Sequence, residues 1–100
     1  MTKKEQEINS KMKTKILIVD DDSVAREALI KLINQENHFN VCAGAENTSQ
    51  ALNAIEEHQV DLAIVNTFLE DTGCAELTRK IKLRCPNLPI LTIPTREFLD

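Results

Sequence analysis

The feature that most constrains this chain is an alternation. From Lys15 onward, short aliphatic and β-branched runs take turns with longer stretches in which apolar residues recur at helical spacing. That rhythm marks β-α-β units, because neighbouring parallel strands must be joined by a crossover, usually a helix. A chain of 100 residues is enough for one such core and too short for two. The predicted fold is therefore a single α/β domain with a doubly wound parallel sheet.

The strand runs are Lys15 to Val19, Phe39 to Ala43, Asp61 to Val65 and Ile90 to Ile93. The first is aliphatic after its lysine, as expected of a strand covered on both faces. A helix is predicted from about Ser23 to Gln35, with Val24, Ala25, Ala28, Leu29, Leu32 and Ile33 forming one broad apolar face. Asp22 or Ser23 can cap it. A second helix spans Ser49 to His58, with Ala51, Leu52 and Ile55 as its stripe and Thr48 or Ser49 as N-cap. After the turn-like Glu70 to Gly73 comes a third, with Leu77 and Ile81 inward, Cys74 and Cys85 on the same stripe, and Pro86 as its stop. Residues 1–14 lack apolar periodicity and are read as a flexible N-terminal arm, leaving 15–100 as the folded domain. Thr95 to Asp100 reads as the start of a further helix.

Composition narrows the function. No apolar run approaches the roughly 18 residues of a membrane span, and the polar first residues lack the apolar core of a secretory signal. A soluble, cytoplasmic protein is expected. Cys42, Cys74 and Cys85 include no C-x-x-C pair, so packed thiols are expected rather than a disulfide framework or a zinc site. The formal charge is −4, and the first 14 residues are net basic, so the folded part carries the acidic excess. With neither tryptophan nor tyrosine, such a surface argues against direct nucleic-acid binding, which uses basic stripes or stacking aromatics.

Ligands of open parallel sheets bind outside the carboxyl ends of the strands. There this chain carries Asp20, Asp21 and Asp22 after the first strand, Asn66 after the third, and Pro94 and Thr95 after the fourth. Hard oxygen donors in that place suit a magnesium ion. Helix capping explains Asp22 equally well, but one cap does not need three carboxylates.

The segments KILIVDDDSVAREAL, DLAIV, NTFLEDTG and PNLPILTI together resemble the receiver domain of two-component response regulators, the CheY-like (flavodoxin-like) fold. The resemblance implies strand order 2-1-3-4, with the fifth strand and last helix of that fold missing from this sequence. It also implies an acidic pocket at Asp20 and Asp21, a phosphoacceptor position at Asn66, and a phosphate-reading position at Pro94 or, one place later, Thr95. Asn66 is not expected to be phosphorylated, because acyl phosphate formation needs a carboxylate oxygen as nucleophile and a carboxamide is neutral. Pro94 has neither hydroxyl nor N–H. Glu70 and Cys74 stand where the family often has proline and glycine.

The expected function is thus a pseudo-receiver in two-component signalling, acting through a protein partner or self-association and not as an enzyme. Its magnesium site, from Asp20, Asp21 and Asn66, is expected to be weak. The rival reading is a haloacid dehalogenase-like phosphohydrolase with Asp20 as nucleophile and Asp22 as general acid and base. Its later acidic pair and lysine have no counterpart here.

Overall fold

A computed structural model describes residues 13–95. The expected arm falls largely on residues 1–12 and the expected last helix on 96–100, both outside the described residues. The elements run β1 (Thr14–Val19), α1 (Ser23–Asn34), β2 (Phe39–Ala45), α2 (Thr48–Glu57), β3 (Leu62–Asn66), α3 (Cys74–Arg84) and β4 (Ile90–Ile93). All strand pairs are parallel, and the order β2-β1-β3-β4 is the one expected from the sequence.

Strand alternation splits the core in two. Leu17, Val19, Ala63 and Val65 face α2 and α3, where they pack with Ala51, Ile55, Leu77 and Ile81. Ile16, Ile18 and Ile64 face α1 and pack against Leu29. Parallel strands buried on both sides explain why β1 and β3 read as continuous apolar runs and not as alternating ones.

Several local details differ from expectation. α1 buries only Ala25 and Leu29 fully, with Ile30 and Ile33 partly buried against the sheet. Val24 is 78% exposed and Leu32 47%. Six apolar positions cover more of a helix than one sheet face can touch, so half of the predicted face points away. α2 begins one residue early, and its cap is Asn47, whose Oδ1 accepts from the Gln50 N–H, so neither Thr48 nor Ser49 is the N-cap. β2 runs on to Ala45, with a register shift opposite Ile16 and Leu17 that leaves Cys42 unpaired in the ladder. Gly44 lies where α1 crosses β2: a Cβ there would sit 3.2 Å from Ile30 Cδ1. All three cysteines are half-buried free thiols, as expected, and burial pushes the Cys42 thiol up.

Candidate functional site

The carboxyl ends of β1, β3 and β4 lie side by side because the strands pair in that order. Register sets Val19 beside Val65 and Asn66 beside Ile93. The next residue of β1, Asp20, therefore falls next to Asn66, and the chain leaving β4 passes over both. Asp20 is 0% exposed, Asn66 5% and Thr95 1%, so three polar side chains lie buried at one end of a hydrophobic sheet. Burial of that kind is tolerated only when the groups satisfy one another.

They do so. Asp20 Oδ1 accepts from Asn66 Nδ2 at 3.3 Å and from the Asp22 N–H at 3.0 Å. Asp20 Oδ2 accepts from the Thr95 hydroxyl at 2.5 Å. Asn66 Oδ1 accepts from the backbone N–H groups of Phe68 and Thr95, each at 3.4 Å. These partners fix the amide's orientation: its oxygen meets two donors, and its nitrogen meets a carboxylate. Among the described residues, no buried side-chain nitrogen or oxygen lacks a partner.

The flanking acidic residues are engaged in local structure. Asp21 Oδ2 accepts from the Glu70 N–H at 3.0 Å, tying the β3–α3 loop to the β1–α1 loop. Asp22 Oδ1 accepts from Val24 and Ala25, the N-cap of α1. A carboxylate committed to capping is poorly placed as a general acid and base, so the hydrolase reading finds no support in the structure. Arg26 donates from Nη1 to the Asp20 carbonyl at 2.6 Å, a contact the sequence reading missed. Its only signal was a cation one turn into the helix that follows the acidic run.

A second set of bonds holds the same loop from the other side. Asp71 Oδ2 accepts from the Thr48 N–H at 2.9 Å, and the Thr48 and Thr72 hydroxyls share a hydrogen bond. Burial acts to raise the Asp71 carboxyl, but hydrogen bonds from Thr48 and Thr72 outweigh it and hold it below the usual carboxylate range. Gly73 then opens α3 with φ +85° and ψ 156°, a conformation that is essentially restricted to glycine.

Of the residues singled out from sequence, Asp20, Asn66 and Thr95 come together in one buried cluster, with Asp21 at its edge. Counting along the fourth strand pointed first to Pro94, but Thr95 supplies both the hydroxyl and the N–H of the cluster. The donor set fits magnesium poorly. That ion takes near-octahedral oxygen coordination from anionic and water oxygens, and here the Asn66 amide nitrogen, a donor, stands against Asp20 Oδ1 where a second carboxylate oxygen would have to stand. No group of three or more histidine, cysteine or acidic side chains suited to a metal occurs among the described residues.

Comparison with known proteins gives one consistent result. The family model of the response regulator receiver domain matches residues 16–98. Sensory transduction protein LytT of Oceanobacillus iheyensis is 31% identical over 87 residues, which are 87% of this chain and 35% of the relative. The heme response regulator HssR of Staphylococcus saprophyticus is 38% identical over 89 residues, 87% of this chain and 38% of that protein. The chain thus spans little more than a third of the length of these relatives. Among solved structures, a response regulator receiver protein from Pseudomonas putida superposes with a TM-score of 0.73 at 25% identity, covering 81% of this chain and 67% of the other. A LuxR-family response regulator from Aurantimonas gives 0.75 at 28% identity, covering 80% of this chain and 57% of that one.

Proposed function

This chain belongs to the response regulator receiver family of two-component signal transduction, and we propose that it works there as a pseudo-receiver, signalling through protein contacts without being phosphorylated. One observation carries the reading: the residue closing β3 is Asn66, a buried carboxamide whose nitrogen donates to Asp20. A carboxamide nitrogen and oxygen share one delocalised electron system, so neither is the anionic oxygen that attack on a phosphoryl donor requires. The domain carries information and turns over no substrate.

The partner surface is apolar and lies at the edge of the sheet. Among the described residues β4 pairs on one side only, and its Leu91 is 50% exposed on the face that α1 leaves open. A strand that pairs on one side among the described residues and carries apolar side chains can pair with a further strand. A second copy of the chain fits, since an antiparallel β4 to β4 contact about a two-fold axis sets each Leu91 patch against its own mate. The relatives whose names mention transcription or DNA binding are longer than this chain. An acidic domain without tryptophan or tyrosine leaves nucleic-acid contact to other parts of such proteins. The described residues contain no helix long and apolar enough to cross a membrane.

The test is direct. Incubation with acetyl phosphate or beryllofluoride plus magnesium should leave mass and amide spectrum unchanged; a phosphorylated species mapping to residues 61–73 would overturn the reading. Sedimentation at high micromolar concentration should show a dimer that Leu91→Lys dissociates, and a monomeric wild-type profile would exclude self-association.

A further inference from the structure

The cluster at the end of β1, β3 and β4 is closed in a specific way. Asn66 Oδ1 faces two backbone donors, Phe68 and Thr95. A carboxylate at this position could accept both equally well. Asn66 Nδ2 faces Asp20 Oδ1 at 3.3 Å. On this side an amide and a carboxylate differ: the amide donates to Asp20, whereas a carboxylate would set a second oxygen against it. Two carboxylates that close do not both remain ionised without a shared proton or a cation between them. The Thr95 hydroxyl donates to the other Asp20 oxygen, Oδ2, and the Asp22 N–H adds a third donor at Oδ1.

Independently of what the domain signals to, we infer that the Asn66 carboxamide and the Thr95 hydroxyl together take the place of a cation in this pocket, so that the wild-type fold neither needs nor binds a divalent metal there. The amide supplies positive N–H density where a metal would otherwise neutralise two facing carboxylates, and it does so without removing water from an ion. One isosteric exchange reverses the arrangement. Asn66→Asp keeps the two backbone hydrogen bonds, loses the donor to Asp20, and leaves two carboxylates with Asp21 at the rim. That donor set suits magnesium, which binds through one or two carboxylates and retains several waters.

Thermal unfolding of the wild type and Asn66→Asp would be followed in 10 mM magnesium chloride and in EDTA with sodium chloride at matched ionic strength. The wild-type Tm should be the same in both. A site of low-millimolar affinity would raise it by about 5 °C or more, and such a rise in the wild type would overturn the inference. The variant should melt below the wild type in EDTA and recover in magnesium. Equal melting of the two proteins in EDTA, with no response to the ion, would also overturn it, because the amide would then be replacing nothing. A second measurement needs no variant: titration of the wild type with manganese(II), read by amide line broadening. Absence of selective broadening at Asp22, Phe68 and Thr95 is expected, and broadening confined to those amides would refute the substitution.

Discussion

The two faces of the sheet are built from alternate residues of the same strands, yet they are protected unequally. On one face, Leu17, Val19, Ala63 and Val65 lie beneath α2 and α3, in a cluster that extends through Leu77 and Ile81 to Leu88. On the other, among the described residues, Ile16, Ile18 and Ile64 meet α1 alone, and Leu91 is half exposed. The apolar content of a strand therefore reports how much surface is available for burial, and the number of helices laid on each face decides how much is buried. Hydrophobic stabilisation follows area removed from water, so the two-helix face should dominate the stability of the described residues.

The largest expected effect tests that ranking. Leu77→Ala should cost about 4 kcal/mol and Leu29→Ala about 2–3 kcal/mol, since the cost of truncation grows with the cavity its surroundings cannot close. Urea denaturation of both variants measures the difference, and equal losses would break the comparison.

Next come the two helix starts, which use different devices. α3 opens on Gly73, whose backbone conformation is nearly glycine-only although an added Cβ would meet nothing within 4 Å. Gly73→Ala should therefore cost about 1–3 kcal/mol from backbone strain alone. α1 opens on the Asp22 cap, and Asp22→Ala should cost about 1 kcal/mol. Both are read from denaturation midpoints, and a larger loss at Asp22 than at Gly73 would invert the proposed order.

The smallest effect concerns acid. Asp71 ties the start of α2 to the loop before α3, and its carboxyl is held below the ordinary value by the Thr48 and Thr72 hydrogen bonds that outweigh burial. A lowered folded value means that the contribution is present above the ordinary aspartate value of about 3.9 and is lost as pH falls through the folded value. Asp71→Asn should slightly flatten the acid limb of a Tm against pH profile. Because the group is largely exposed, the change should be small, and an unaltered acid limb would remove Asp71 from the account.

Much of this was legible in the sequence, for reasons that differ by residue. Asp20 and Asn66 could be paired in advance because each directly follows an apolar strand run, and the strand order makes those runs neighbours. Thr95 was only half legible. Counting from Pro89 fixes how far the chain has travelled but not which way it turns on leaving a strand, and that turn brings Thr95, in place of Pro94, over the pocket. The Asn47 cap was missed because Asn47, Thr48 and Ser49 are all good capping types, and helix phase alone selects among them. Val24 and Leu32 were assigned inward because periodicity describes a helix by itself, without the width of the surface it lies on.

By itself the sequence determined the parallel α/β class and a carboxamide at the end of β3, because periodicity, breaker residues and side-chain chemistry are local properties; the strand order came from its resemblance to receiver domains. Only the tertiary structure decided that Asp20, Asn66 and Thr95 satisfy one another inside a closed cluster and that, among the described residues, one sheet face is covered less than the other. Hydrogen-bond satisfaction and burial depend on what approaches from distant parts of the chain. Asp20 and Thr95 are 75 residues apart in sequence and joined by one hydrogen bond in space.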